Sequence, residues 1–201
     1  MKIFCIGRNY AEHARELNNE VPDEPVIFMK PPTALLKDDR PFYLPDFSNE
    51  VHYEAEVVVR IGRNGKHVRP QFAHRYVSHL TLGLDLTARD IQKRLKAKGL
   101  PWEIAKGFDG SAVLGRMHPV GEVDLPTTFE LVKNGEVVQR GDTRQLIFSI
   151  DQLIAHISCY FTLQQGDLIY TGTPAGVGAL AIGDVLDGTL DGVPTLHTEI
   201  R

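Results

Sequence analysis

Apolar and polar residues alternate along several segments of the chain, and a period of two predicts β-strands. In residues 51–62 one face carries apolar side chains, and the opposite face carries Glu54 and Glu56. The apolar face consists of Ala55, Val57, Val59 and Ile61. Similar patterns predict further strands over residues 2–6, 26–29, 77–86, 129–132, 137–138, 168–171 and 195–200.

Helix signals occur at fewer places. Thr87 has the residue type of an N-cap, and Gly99 marks the end of the helix that would follow. Ser149 and Gln152 form the pattern of a capping box ahead of apolar residues at helical spacing. A short helical patch is expected over residues 11–17, followed by a polar loop over residues 18–25.

The strands outnumber the helices and do not alternate with them regularly. This order excludes a doubly wound fold and favours a β-rich α+β fold built around curled sheets. No linker rich in serine and proline divides the chain, so residues 1–201 are expected to form a single domain. The glycines of residues 172–178 match neither the dinucleotide-binding nor the P-loop spacing, and they predict no nucleotide site.

Composition and charge exclude some classes of function. The net charge of −4 provides no basic surface for nucleic acid. No apolar run reaches the roughly 18 residues that a membrane span needs, and Arg8 interrupts the N-terminal apolar run too early for a signal peptide. Cys5 and Cys159 lie in apolar surroundings and are expected to be buried reduced thiols. We therefore expect a cytoplasmic protein.

The first candidate functional residues are three carboxylates. Glu54 and Glu56 lie two residues apart on a predicted strand, so both side chains project from one face. A divalent cation such as Mg²⁺, Mn²⁺ or Ca²⁺ would relieve the repulsion between two neighbouring carboxylates. A solvated outer face explains the same spacing equally well. Asp85 ends an apolar strand just before a helix start, which favours a three-carboxylate site.

Other candidate functional residues can each be interpreted as ordinary surface residues as well. Lys106 precedes a glycine-rich turn, although most lysines are solvated surface residues. His13 and Glu16 are three residues apart on a helical turn, where a carboxylate raises the basicity of an imidazole. A surface pair of little energetic value has the same spacing. The basic run over residues 93–98 is expected to be a solvated helix face.

Taken together, these segments resemble the fumarylacetoacetate hydrolase family, and most closely its short acylpyruvase branch. The resemblance extends in order over nearly the whole chain. It is carried by residues 7–13 (GRNYAEH), 28–31 (FMKP), 52–56 (HYEAE), 84–92 (LDLTARDIQ), 98–102 (KGLPW), 105–106 (AK), 132–136 (VKNGE), 146–150 (LIFSI) and 171–178 (TGTPAGVG).

The resemblance implies a mixed β-roll, a homodimer, and Mg²⁺ or Mn²⁺ on Glu54, Glu56 and Asp85. It also implies that His13 and Glu16 form a catalytic pair on a lid over residues 10–25 and that Lys106 polarises the substrate. Substrate-side contacts are implied for Arg8, Lys30, Arg89, Gln92 and Thr173. Pro32 and residues 109–115 depart from the family pattern, which affects the substrate expected more than the metal.

The activity implied by the resemblance is metal-dependent hydrolysis of a C–C bond in acylpyruvate-type dicarbonyl acids. Cleavage of such a substrate yields pyruvate enolate, and loss of CO₂ from oxaloacetate yields the same enolate, so decarboxylation is a second expected activity. Isomerisation of intermediates of aromatic degradation, such as 2-hydroxyhepta-2,4-diene-1,7-dioate, is an alternative. A non-catalytic ligand-binding homologue is another.

Overall fold

The computed structural model describes residues 1–12 and 21–201. Within them the strands are β1 Ile3–Gly7, β2 Val26–Lys30, β3 Leu35–Leu36, β4 Val51–Tyr53, β5 Ala55–Ile61, β6 Val77–Asp85, β7 Thr87–Ala88, β8 Ala112–Leu114, β9 His118–Pro119, β10 Thr128–Lys133, β11 Glu136–Asp142, β12 Leu168–Tyr170, β13 Gly178–Ala179, β14 Val185–Leu190 and β15 Val193–Glu199. This strand-rich architecture confirms the predicted α+β class.

The largest sheet has eight strands in the order β2-β1-β12-β5-β6-β8-β3, with β9 also paired to β6. Most neighbours are antiparallel, but β1 runs parallel to β12 and β3 runs parallel to β8. The longest pairing joins β5 to β6, with Ala55 opposite Leu84 and Glu56 opposite Gly83. This pairing lies near the centre of the sheet and carries the residues of the candidate site.

A second sheet has the order β11-β10-β14-β15, and a third has the order β13-β4-β7. The second sheet lies closely against the first at Gly188, where a Cβ atom would lie only 2.4 Å from Cδ2 of Leu82. Glycine on β14 therefore allows the two sheets to approach. The sequence pattern did not predict β14, because Gly188 interrupts its apolar face.

The α-helices of the described residues are Pro70–Ala73, Arg89–Ala97, Glu103–Lys106 and Ile150–Tyr160, and the 3₁₀ turns are Pro32–Ala34, His74–Tyr76 and Thr143–Gln145. The capping box is confirmed. The Ser149 hydroxyl accepts a hydrogen bond from the Gln152 N–H at 3.3 Å, and the Gln152 side chain accepts one from the Ser149 N–H at 2.8 Å.

The expectation that Thr87 caps a helix is wrong. Ala88 is the N-cap of the helix Arg89–Ala97, and it makes no side-chain cap hydrogen bond. Thr87 instead pairs with His52 across β7 and β4. Its hydroxyl donates a hydrogen bond to the Asp85 carbonyl oxygen at 3.1 Å, so the side chain is directed toward the candidate site.

The predicted strand over residues 51–62 is interrupted at Glu54, which lies between β4 and β5. The apolar face from Ala55 to Ile61 packs in the main core, as predicted. The opposite face is also buried at Glu54, Glu56 and Val58, and Val58 belongs to a second apolar cluster, whereas Arg60 at its far end is exposed. The solvated outer face that was an alternative for Glu54 and Glu56 is therefore excluded.

Two further expectations concern cysteines and membranes. Cys5 is buried, but Cys159 is exposed near the end of the helix Ile150–Tyr160, so the prediction of a second buried thiol is wrong. Among the described residues, every helix is too short or too polar to cross a bilayer.

Candidate active site

Three carboxylates converge in the interior of the protein. Glu54, Glu56 and Asp85 each offer an oxygen, and these oxygens all lie within 4.8 Å of one another. The three residues are only 5%, 2% and 1% exposed, respectively. Such depth is unusual for acidic side chains, which are almost never fully buried unless they are paired.

Strand pairing explains the convergence. Glu54 and Glu56 lie on either side of the first residue of β5, and Asp85 ends β6, which is antiparallel to β5. The Asp85 N–H donates a hydrogen bond to the Glu54 carbonyl oxygen at 2.9 Å, so the backbone holds these two residues side by side. The site is thus fixed by the register of two central strands.

Three cations contact the carboxylates directly. Lys106 donates hydrogen bonds to Oε2 of Glu54 and Oδ2 of Asp85, both at 2.8 Å. The Arg89 guanidinium pairs with Oε1 of Glu54, and the Lys30 ammonium lies 2.7 Å from Oδ1 of Asp85. Three negative and three positive groups therefore compensate one another in a region from which water is largely excluded.

Lys106 is the centre of this arrangement. Its third hydrogen bond goes to the Thr87 hydroxyl at 2.6 Å, so all three ammonium hydrogens have acceptors. Burial opposes the positive charge, but the carboxylates of Asp85 and Glu54 outweigh that effect and raise the pKa of Lys106 above its ordinary value. Lys106 therefore remains an ammonium at neutral pH and acts as a hydrogen-bond donor.

Oδ1 of Asp85 lies 2.7 Å from the Lys30 ammonium and has no other partner among the described residues. Lys30 lies close to Oδ1, but its hydrogen bonds go to the carbonyl oxygens of Leu86 at 3.2 Å and Ser111 at 2.8 Å. Oδ1 is buried and accepts no hydrogen bond from the described residues. Lys30 therefore compensates the charge of this oxygen without a well-directed hydrogen bond, and a coordinated cation would add the missing directed contact.

Glu56 shows a related electrostatic conflict. Its burial, together with the neighbouring charges of Asp85 and Glu54, raises the pKa of Glu56 well above its ordinary value. The Gly172 N–H donates a hydrogen bond to Oε2 of Glu56 at 2.7 Å and opposes this effect only in part. Without a cation the carboxyl group tends to hold a proton, and a bound cation would favour its ionised form.

Gly172 can make this contact because of its conformation. Its φ of +108° is accessible mainly to glycine, and a Cβ atom there would lie 2.7 Å from Cβ of Asn9. The Asn9 side chain donates hydrogen bonds to the carbonyl oxygens of Thr171 at 2.8 Å and Phe148 at 3.0 Å, and it accepts one from the Phe148 N–H. Asn9 therefore holds the loop that presents Gly172.

These features fit a divalent metal. Three buried carboxylates provide the hard oxygen ligands that Mg²⁺ and Mn²⁺ prefer, and three protein ligands leave positions for water or substrate. The raised pKa of Glu56 indicates that this position favours an added positive charge. Glu54, Glu56 and Asp85 are therefore the residues that could hold the ion.

A cavity opens above the carboxylates. Its walls are formed by Ile6, Gly7, Arg8, Phe28, Glu54, Glu56, Asp85, Arg89, Gln92, Lys96, Trp102, Lys106 and Thr173. One wall is aromatic, since the rings of Phe28 and Trp102 meet edge to face with centroids 5.9 Å apart. The Lys106 ammonium lies 5.3 Å from the centroid of the Phe28 ring. The cavity thus combines an acidic floor, several cations and one apolar wall.

The polar wall is ordered by hydrogen bonds. Arg89 donates one to the Gln92 side chain at 2.6 Å in addition to its contact with Glu54. The Thr173 hydroxyl accepts one from the Gln139 amide at 2.9 Å, and the Gln139 carbonyl oxygen accepts one from the Ala55 N–H. These groups are buried, so their orientations are set before a ligand enters.

The structure places most of the predicted site residues around one cavity. Those that line it are Arg8, Glu54, Glu56, Asp85, Arg89, Gln92, Lys106 and Thr173. Lys30 lies deeper, where it contacts Asp85 with its ammonium fully buried. His13 and Glu16, with most of the expected lid, lie outside the described residues.

Some residues of the site were not identified from the sequence. Thr87 and Gln139 support Lys106 and Thr173, respectively. The sequence indicated Thr87 only as a helix cap, and Gln139 carries no signal beyond its polarity. Lys96 belongs to the run expected to be a solvated helix face; the run is exposed, yet Lys96 lines the cavity. Its spacing from Arg89 and Gln92, at seven and four residues, was the available signal.

Comparison with known proteins relates this geometry to a family. Residues 2–201 match the family described as fumarylacetoacetate (FAA) hydrolase C-terminal. The mitochondrial oxaloacetate tautomerase of Rattus norvegicus is 41% identical over 201 residues, which cover 99% of this chain and 91% of that protein. The mitochondrial oxaloacetate decarboxylase of Dictyostelium discoideum is 42% identical over 197 residues, covering 96% and 90% of the two chains.

A comparison with a solved structure shows similarity in fold as well as in sequence. The fumarylpyruvate hydrolase of Pseudomonas aeruginosa, in complex with Mn²⁺ and pyruvate, superposes with a TM-score of 0.94 at 38% identity. The match covers 100% of this chain and 89% of that chain. Proteins named for reactions of oxaloacetate or fumarylpyruvate are thus similar to this chain in sequence, and the fumarylpyruvate hydrolase is also similar in fold.

A Glu56→Gln variant tests the metal site. We expect its affinity for Mn²⁺, measured by isothermal titration calorimetry, to fall at least about tenfold, because a ligand charge is lost. The melting temperature of the metal-free protein should not fall, since burial already disfavours the ionised form of Glu56. Glu130→Gln, on the exposed face of β10, is the matched control and should bind Mn²⁺ normally. Unchanged Mn²⁺ affinity in Glu56→Gln would refute the ligand assignment.

Proposed function

Because the chain belongs to the fumarylacetoacetate hydrolase family, we propose that it is a divalent-metal-dependent enzyme that interconverts the enol and keto forms of oxaloacetate. The reaction moves one proton between C3 and the oxygen on C2, and it breaks no C–C bond. One observation carries the proposal: the buried carboxylates and the Lys106 ammonium meet at one cavity. The tautomerase relative, similar over nearly the full chain, supports the choice of substrate.

Charge at the substrate oxygen is the main requirement of this reaction. Removal of the C3 proton leaves an enolate, whose negative charge is concentrated on the C2 oxygen. A cation held by Glu54, Glu56 and Asp85 would stabilise this charge as a Lewis acid. Lys106, as a preformed ammonium, donates a hydrogen bond to the same region of the cavity once a substrate oxygen replaces the Thr87 hydroxyl as its acceptor.

The remaining wall residues position the substrate. Arg89 and Gln92 present donors that are already oriented by their mutual hydrogen bond, and they suit a carboxylate. Phe28 and Trp102 provide an apolar wall, against which a planar enol can pack while water is excluded. By the family resemblance, His13 with Glu16 carries the proton between carbon and oxygen.

The charge balance of the site favours a dianion. Lys30, Lys106 and Arg89 already compensate Glu54, Glu56 and Asp85 in number. A divalent cation would add two positive charges to this set, and oxaloacetate carries two negative charges at neutral pH. The dianion would therefore offset the charge that the metal adds, and Arg8 and Lys96 also line the cavity.

The function is tested with purified protein stripped of metal by a chelator and then loaded with Mg²⁺ or Mn²⁺. The enol form of oxaloacetate is followed by its ultraviolet absorbance, and pyruvate is measured in the same samples. Faster loss of the enol without pyruvate supports the tautomerase. Stoichiometric pyruvate identifies a decarboxylase instead, and no metal-dependent change in either quantity would contradict enzymatic action on oxaloacetate.

A Lys106→Met variant tests the role of the ammonium. We expect kcat for enol conversion to fall about 10²-fold, the scale for loss of one preorganised donor to a developing oxyanion. Mn²⁺ affinity should be retained or increased, because Glu54 and Asp85 lose a competing cation. Lys98→Met, at the exposed end of the helix Arg89–Ala97, is the control. Normal kcat in Lys106→Met would show that Lys106 has only a structural role.

A second candidate function is hydrolysis of acylpyruvates at the C–C bond. The close structural match to a fumarylpyruvate hydrolase favours it, because the two chains superpose over all of this protein. In this reaction a deprotonated water attacks the distal carbonyl carbon, and pyruvate enolate leaves and is protonated. The two functions share the site and differ in the need for an activated water.

A His13→Ala variant tests the base of the hydrolytic function. We expect it to bind Mn²⁺ normally and to lose about 10²-fold or more in acylpyruvate hydrolysis, the usual contribution of a positioned base. The measurement is the loss of acylpyruvate enol absorbance together with release of the carboxylic acid. Full hydrolysis by His13→Ala would mean that His13 is not the base.

A further inference from the structure

We propose that Gln139 orients the Thr173 hydroxyl so that its hydrogen is donated into the cavity, to a carboxylate oxygen of the substrate. Gln139 lies behind the cavity wall, and Thr173 is part of that wall. Gln139 is therefore a positioning residue that acts through Thr173. The inference deepens the proposed function and rests on it only for the identity of the keto acid.

The first observation is that an amide side chain occupies a core position on an edge strand. Gln139 belongs to β11, the edge strand of the second sheet, and it is only 2% exposed, whereas its neighbour Arg140 is exposed. An apolar side chain would fill such a position at less cost, because a buried amide requires hydrogen-bond partners. The contacts of Gln139 therefore show what the amide is needed for.

The second observation is that these contacts use the whole amide group. Oε1 of Gln139 accepts a hydrogen bond from the Ala55 N–H at 2.9 Å. Nε2 donates one to the Thr173 hydroxyl at 2.9 Å and one to the Pro174 carbonyl oxygen at 3.1 Å, which accounts for both of its hydrogens. The opposite orientation of the amide would place Nε2 against the Ala55 N–H and Oε1 against the Pro174 carbonyl oxygen. The network of partners therefore fixes the orientation.

The fixed amide determines the direction of the Thr173 hydroxyl. A hydroxyl has one hydrogen, and a hydroxyl oxygen that accepts from an amide keeps this hydrogen for another acceptor. Thr173 is 3% exposed and lines the cavity, and its hydroxyl donates to no group among the described residues. An ionised carboxylate oxygen only accepts hydrogen bonds, so it suits this donor. Hydroxyl lone pairs directed into the cavity would instead repel it.

The backbone holds the two side chains at this distance. The loop that carries Thr173 continues to Gly176, whose φ is +98°. A Cβ atom at Gly176 would lie 2.6 Å from the carbonyl oxygen of Val138, the residue before Gln139. Glycine therefore allows the loop to pack directly on β11.

The same amide joins this donor to the acidic residues. Ala55, which is bonded to Gln139, lies between Glu54 and Glu56 in the chain. One side chain thus sets Thr173 relative to the two carboxylates that would hold a metal. Such supporting contacts orient the groups that touch a metal or its ligand.

A double-mutant cycle between Gln139 and Thr173 tests the inference. The affinity of the Mn²⁺-loaded protein for pyruvate is measured by isothermal titration calorimetry in the wild type, Gln139→Met, Thr173→Val and the double variant. We expect each single variant to weaken pyruvate binding about tenfold, the scale of one hydrogen bond to a charged group. In the Thr173→Val background, Gln139→Met should weaken it by less than about twofold more, because the hydroxyl is already absent.

Two further variants complete the experiment. Gln71→Met, on the exposed side of the helix Pro70–Ala73, is the matched control and should bind pyruvate as the wild type does. Gln139→Glu serves if methionine destabilises the fold, since a glutamate oxygen still accepts from the Ala55 N–H. Its carboxyl group has at most one hydrogen for Thr173 and Pro174, so we expect the same dependence on the Thr173 hydroxyl.

Each outcome decides the inference separately from the proposed function. Equal weakening by the Gln139 variants with and without the Thr173 hydroxyl would overturn it, because Gln139 would then have only a structural role. Wild-type affinity in the Gln139 variants or in Thr173→Val, or a wild type that does not bind pyruvate, would overturn it as well. Failure of the wild type to convert oxaloacetate would instead overturn the proposed reaction, since the cycle is measured by binding and does not require turnover.

Discussion

Compensation of buried charge is the constraint on which this structure depends. An isolated carboxylate in a protein interior costs several kcal/mol, and here Glu54, Glu56 and Asp85 lie within a few ångströms of one another. Lys106 and Lys30 contact these groups from within the fold, and Arg89 contacts Glu54 from the wall of the cavity. The compensation depends on the pairing of β5 with β6, because that pairing fixes the distances among the acidic side chains.

The same charges explain how the site combines stability with reactivity. Lys106 satisfies Glu54 and Asp85 in the absence of a ligand, and it also faces the space in which a substrate oxygen would lie. The carboxyl of Glu56, whose pKa is raised by burial and by the neighbouring carboxylates, lies at the position suited to a cation. The unfavourable electrostatic interactions are thus concentrated at the position where a metal would bind. The surrounding wall is held by ordinary hydrogen bonds.

The sequence predicted the central elements well, because their signals are local. Alternation identified β5 and β6, and Ser149 with Gln152 identified the start of a helix. Tertiary contacts determine the features that the sequence did not predict. Thr87 has the residue type of a helix cap, yet its hydroxyl accepts a hydrogen bond from Lys106 and its backbone pairs with β4. Ala88 is the N-cap instead. Four other features depend on tertiary packing, which no local sequence pattern specifies. They are the buried second face of β5, the exposure of Cys159, the strand containing Gly188 and the direction of Lys96.

The parallel pairing of β1 with β12 has a consequence for the order in which the protein is built. Ile3 pairs with Leu168, so the first strand gains its central neighbour only after more than four-fifths of the chain has been synthesised. Arg8 and Asn9 follow β1 directly, and Asn9 bonds to Thr171 beside Gly172. This part of the cavity is therefore completed late in biosynthesis, since contacts between residues so distant in sequence form slowly. A ribosome-bound chain that stops before Leu168 would contain all three acidic side chains and still lack Thr173 and the Gly172 N–H that contacts Glu56.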